Sequence, residues 1–99
     1  MRIEHKHNLT NEEVYRRLQG LLSDLQEQYA DKIKNLQSQW NQDNTQMDFS
    51  VEIMGFRSQG RVYLLDKKVI LEGNLPLMAR MFSGKIESMI KARLEALLS

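Results

Sequence analysis

Between Leu36 and Gly73 the apolar residues recur at every second position, through three successive turn signals. Met47, Phe49, Val51 and Ile53 alternate with Asp48, Ser50 and Glu52, the period of a strand with one buried face. Leu36, Ser38 and Trp40 precede this run in the same pattern. Ser58, Gly60, Val62 and Leu64 follow it, and then Val69, Leu71 and Gly73. Asp43-Asn44, Gly55-Phe56 and Asp66-Lys67 separate the segments, and each suits a tight turn. Two-residue turns there set Trp40 opposite Met47 and Leu36 opposite Val51. They set Phe49 opposite Val62 and Met47 opposite Leu64, then Leu64 opposite Val69 and Val62 opposite Leu71. All three registers gather the apolar residues on one face, and a one-residue slip in any of them breaks the agreement. The same pairing places Arg61 against Glu72 on the other face, worth ~0.2–1 kcal/mol. The expectation is a four-stranded antiparallel meander.

A sheet with one apolar face needs cover, and two amphipathic helices can supply it. Thr10 is a good N-cap, Glu13 completes a capping box, and Leu9 and Val14 are spaced as a hydrophobic staple. A 3.6-residue stripe then runs through Val14, Leu18, Leu21, Leu22, Leu25, Tyr29 and Ile33. At the other end, from Pro76 to Leu98, Met78, Phe82, Ile86, Met89, Ile90, Leu94 and Leu97 mark a second helix with one buried face. Before the first helix, Arg2 to His7 alternates as a short strand. The predicted fold is α+β: a two-layer sandwich of order β-α-β-β-β-β-α, sheet order 1-5-4-3-2, both helices on one face. It is similar in outline to a reduced helix-grip fold, an analogy that carries no function.

Length and charge narrow the functions. Ninety-nine residues suit a single domain, 1–99, with one core. With no Cys, disulfides, thiol catalysis and Cys-based zinc sites are excluded. Fourteen Lys+Arg against thirteen Asp+Glu argues against nucleic acid as a partner. No apolar run approaches the ~18 residues of a transmembrane segment. Charges at Arg2, Glu4 and Lys6 stand where a signal peptide needs an apolar stretch, so a cytoplasmic location is expected.

The residues offer several candidate sites, each with a plain structural alternative. His5 and His7 share a strand face but lack a third ligand at local spacing, so no metal is expected. Gly60 and Gly73 face one another with Val51 beside them, leaving room above the sheet. Phe82 from the last helix fills that room, or an apolar ligand occupies it. On the outer face Tyr63, Leu65 and Ile70 form a candidate patch for self-association into a homodimer. Ser83-Gly84 interrupts the last helix as a hinge or, more simply, a bend fitted to a twisted sheet, and Ser83 is placed to cap a helix from Lys85. The methionines of that helix suit adaptable binding or gap-filling. Arg80, Lys85, Lys91 and Arg93, interleaved with Glu87 and Glu95, read as a solvated face. No nucleophile elbow, phosphate-binding Gly loop or His/carboxylate motif is present, so neither catalytic residues nor cofactors are assigned.

The whole chain resembles the polyhydroxyalkanoic acid system proteins. The matching stretches are His7-Asn8-Leu9 with the Thr10-Asn11-Glu12-Glu13 helix start, Met47-Asp48-Phe49-Ser50-Val51, Gly60-Arg61-Val62, Val69 through Pro76, and Ile86-Glu87-Ser88-Met89-Ile90 through Leu94 to Leu98. Members of that family occur with polyester-storage genes in bacteria. The resemblance implies a link to storage granules or their proteins and no particular reaction. The leading expectation is a non-enzymatic accessory domain that binds a granule-associated protein or an apolar surface. The alternative is a small helix-grip-like domain holding a hydrophobic molecule between the sheet and the last helix.

Overall fold

A computed structural model of the chain describes residues 1–53, 55–75 and 77–99, with the backbone alone at Met78 and Ala79. The elements run β1 (Arg2–Lys6), α1 (Asn11–Gln28), β2 (Ile33–Trp40), β3 (Gln46–Ile53), β4 (Phe56–Leu65), β5 (Lys68–Asn74), a 3₁₀ segment (Leu77–Phe82) and α2 (Ser83–Leu98). The five strands form one antiparallel sheet in the order β1-β5-β4-β3-β2, as the alternation predicts. Ile3, Met47, Val62, Leu64 and Val69 from its inner face meet Val14 and Leu18 of α1 and Leu94 and Leu98 of α2 in one core. Both helices therefore cover the same face. α2 has β1 as its nearest strand and runs beside α1.

The pairing departs from the simplest register in two places. Between β4 and β5 Leu64 faces Val69, Val62 faces Leu71 and Gly60 faces Gly73, as expected, with Lys67 at φ 55 closing the turn. Between β3 and β4 the register lies two residues away from the expected one: Met47 faces Val62 and Phe49 faces Gly60. Ile53 pairs with Phe56, so Phe56 belongs to the strand and Gly55, at φ 86, is the second turn residue rather than the first. The turn's other residue, Met54, lies outside the described residues. A shift of two leaves every side chain on its predicted face. Between β2 and β3 Trp40 faces Met47 as expected, but a bulge between Lys34 and Gln37 interrupts the ladder before Leu36 can face Val51. Asn35 sits in that bulge at φ 53, a conformation Asn tolerates better than most residues.

The helices also differ in detail. Thr10 Oγ1 accepts the Glu13 N–H at 3.2 Å, half of the capping box. The other half is replaced: the Glu13 carboxylate takes hydrogen bonds from Arg16 and, at 2.9 Å, from Arg17, which hold its pKa down at about 2. α1 ends at Gln28, earlier than the apolar stripe suggests. Lys32 and Ile33 both donate backbone N–H groups to the Tyr29 carbonyl, closing a tight turn that hands Ile33 to β2. The last helix is two helices. Its first turns are 3₁₀, and the α-helix starts at Ser83, with Phe82 rather than Ser83 in the cap position and no side-chain cap bond. Pro76, the expected start of the single helix, lies outside the described residues.

Candidate functional site

The change of helix type at Ser83 decides which apolar side chains reach the core. A 3₁₀ helix turns every 3.0 residues and an α-helix every 3.6, so one face cannot continue across the junction. The α2 face runs through Ile86, Ile90, Leu94 and Leu98, and burial deepens along it until Leu94 and Leu98 are enclosed. The residues ahead of it point elsewhere. Leu77 is 77 %, Met81 82 % and Phe82 57 % exposed, and Met89 on α2 is 59 % exposed. Arg80 and Lys85, also exposed, stand among them. Among the described residues the element contacts of the 3₁₀ segment are with α2 and not with the sheet. The stripe expected from Phe82 to Leu97 is thus corrected: Phe82 and Met89 lie outside the buried face, and Leu98 belongs to it. Met78, the first residue of that stripe, lies outside the residues whose side chains are described.

Ile53 and Phe56, at the β3–β4 tip, add partly exposed apolar side chains at the end of the sheet where β5 leaves for the 3₁₀ segment. Among the described residues the exposed large apolar groups are Ile53 and Phe56 there and Leu77, Met81, Phe82 and Met89 along the last segment, with Leu65 apart from them. Such a concentration marks a contact surface more often than scattered single residues do.

The candidate pocket residues are brought together only in part. Val51, Gly60 and Gly73 share the inner face, with Val51 buried. The space over Gly60 is taken by the ring of Phe49, its directly opposed neighbour. A Cβ at residue 60 would stand 2.8 Å from Phe49 Cε1 and 2.5 Å from the Glu72 carbonyl oxygen. Phe82 is 57 % exposed, on a segment whose element contacts among the described residues are with α2 and not with the sheet. Phe49 is the residue that sequence reasoning missed here. A Phe–Gly cross-strand pair was the available signal, but only in the correct register.

On the outer face Tyr63 and Ile70 are direct partners, as expected. Ile70 is only 7 % exposed, flanked by Tyr63 on one side and Glu4 on the other. Of the three candidate association residues Leu65 alone is open, at 42 %. The rest of this face is polar. Arg61 faces Glu72 across β4 and β5, as expected, while its Nε donates to Asp48 at 2.6 Å, and the Asp48 carboxylate raises its pKa. Arg2 lies 3.4 Å from Glu72. Gln37, Gln39, Asp48, Gln59, Arg61 and Glu72 line an open trough that crosses β2 to β5.

His7 is buried, and its backbone N–H donates to the Lys67 carbonyl at 3.0 Å. Its Nδ1 accepts the Leu9 N–H at 3.1 Å, while Nε2 is enclosed with no partner among the described residues. Burial lowers its pKa, and the charge of His5 adds to this. Among the described residues no three His, Asp or Glu side chains converge as a metal site would require, and no helix is long and apolar enough to cross a membrane.

No curated protein and no solved structure matches the chain. One family model does match, over residues 1–98, which is nearly the whole chain. It takes in both helices, all five strands and the stretch that carries Leu77, Met81, Phe82 and Met89 alike. The chain belongs to the family described as putative polyhydroxyalkanoic acid system protein.

Proposed function

We propose that the protein is a non-enzymatic accessory domain that docks on the apolar surface of polyhydroxyalkanoate storage granules, in the cytoplasm. The observation that carries this reading is the exposure of Leu77, Met81 and Phe82 on the segment that leads into α2. The family's link to the polyhydroxyalkanoic acid system supports the choice of surface. Fully burying an aliphatic or aromatic side chain is worth ~1.5–3 kcal/mol. At their observed exposures the three together supply roughly 3–6 kcal/mol on that scale. Association costs about 4 kcal/mol or more in lost freedom. Docking by one copy through these residues is therefore weak and reversible. Arg80 and Lys85 beside them suit a surface that carries anionic groups. A small-molecule pocket has less support, because Phe49 fills the space above Gly60.

Co-sedimentation with polyester particles tests the proposal. The wild-type protein is expected to pellet with the particles, and Phe82→Glu and Met81→Glu to stay in the supernatant with unchanged circular dichroism. Equal pelleting of all three proteins would overturn it.

A further inference from the structure

The sheet has two edges, and they are treated differently. β1 is short and charged, with Arg2, Glu4 and Lys6 along it, and α2 lies against it. β2 spans eight residues, and after Lys34 it carries no charge and no Pro. Gln37, Ser38 and Gln39 are all exposed, so among the described residues nothing covers this stretch of the edge. Long uncharged edges are templates for another strand, and proteins that avoid such pairing guard them with charges, Pro or cover.

The hydrogen-bond phase shows which groups are on offer. The Asn41 N–H donates to the Gln46 carbonyl at 2.9 Å. Antiparallel ladders alternate bonded and non-bonded pairs. Gln39–Asp48 and Gln37–Ser50 therefore form the bonded pairs with β3, and Ser38 and Trp40 turn their N–H and C=O groups outward. Asn35 and the bulge mark where this regular stretch begins.

We infer that the open edge of β2 pairs antiparallel with β2 of a second copy of this chain, about a two-fold axis at Ser38. The sequence is self-complementary in that arrangement. Ser38 meets Ser38, Gln37 meets Gln39 on the outer face, and Leu36 meets Trp40 on the inner face. No charged residue meets another, so the like-charge repulsion that opposes self-pairing is absent. A foreign strand could use the same backbone groups, but the match of amide to amide and apolar to apolar across one axis favours a second copy. Pairing joins two sheets into one and makes their polar troughs continuous. It also sets two apolar 77–89 segments on one particle.

The test is the molar mass by light scattering across a concentration series, with hydrogen exchange. The wild-type protein is expected to rise from 11.6 kDa toward twice that mass as concentration increases. The Ser38 and Trp40 amides should become protected in the same range. Ser38→Pro removes an outward N–H and no bond of the monomer's own ladder, so it should stay monomeric with an unchanged far-ultraviolet spectrum. If that variant does not fold, Gln37→Lys/Gln39→Lys sets Lys against Lys across the axis and should weaken pairing by about tenfold or more. A mass fixed at 11.6 kDa would overturn the inference. So would a dimer that persists in these folded variants, or one in which the Ser38 and Trp40 amides stay unprotected.

Discussion

Arg17 Nη1 donates to the Leu97 carbonyl at 2.8 Å, joining residues eighty positions apart. Arg17 is held in place by Glu13, one turn earlier on α1, at 2.9 Å. The guanidinium thus sits at the C-terminal end of α2, where unpaired carbonyls and the helix dipole favour a positive charge. Leu94 and Leu98, the deepest residues of α2, lie on either side of this anchor. The α2 end that enters the core is fastened, and the 3₁₀ segment joined to its opposite end carries the exposed Leu77, Met81 and Phe82.

Arg17→Ala is therefore expected to lower stability by about 1–2 kcal/mol, the worth of a partly exposed hydrogen bond to a charged group. Arg16→Ala removes the more exposed of the two arginines on Glu13 and should leave stability nearly unchanged. Urea denaturation of both variants checks the contrast.

Gly60→Ala is expected to destabilise by about 1–3 kcal/mol, because its Cβ meets the Phe49 ring and the Glu72 carbonyl together. Phe49→Leu in the same chain should recover part of that loss by clearing the ring, and only part, since the carbonyl remains. A double-mutant cycle on urea midpoints measures the coupling.

Stability should fall on acidification in two windows. Burial holds the pKa of His7 below its ordinary 6.5 in the folded protein. The unfolded chain then takes up the proton first, so stability is full above about 6.5 and declines as pH falls through the lowered folded value. His5 and Asp66 are the charged neighbours that modulate this step. A second decline begins as pH falls below 4.5, where unfolded Glu13 protonates, and continues to about 2, where the folded residue does. His7→Asn keeps an acceptor for the Leu9 N–H and removes the titration. It should abolish the first decline and leave the second, read from urea midpoints at successive pH values.

The sheet was legible because its alternation fixes which face each side chain takes. Ile3, Met47, Val62, Leu64 and Val69 reach the core as their parity requires. Parity does not fix position along the strand. Gly55 serves either place in a two-residue turn, so the β3–β4 register could differ by two without moving a side chain to the wrong face. That shift hid the Phe49–Gly60 contact and with it the filling of the supposed pocket. The bulge at Asn35 left no apolar signature at all. In the last segment the stripe from Met78 to Leu97 assumed one helix type, and the 3₁₀ start leaves Phe82, a member of that stripe, exposed beside Leu77 and Met81, which the stripe did not include. Ser83-Gly84 did mark the junction. The exposed site was thus written in the sequence as a breakpoint, without the direction in which the residues before it point.

Tryptophan emission from Met81→Trp, in a Trp40→Phe background, tests the docking surface most directly. Residue 81 is 82 % exposed, so the free protein should emit as a solvated indole. Adding polyester particles should shift the emission to the blue as the side chain enters the apolar surface. Unchanged emission from protein that still pellets with the particles would contradict the account, because the chain would then be binding through another face.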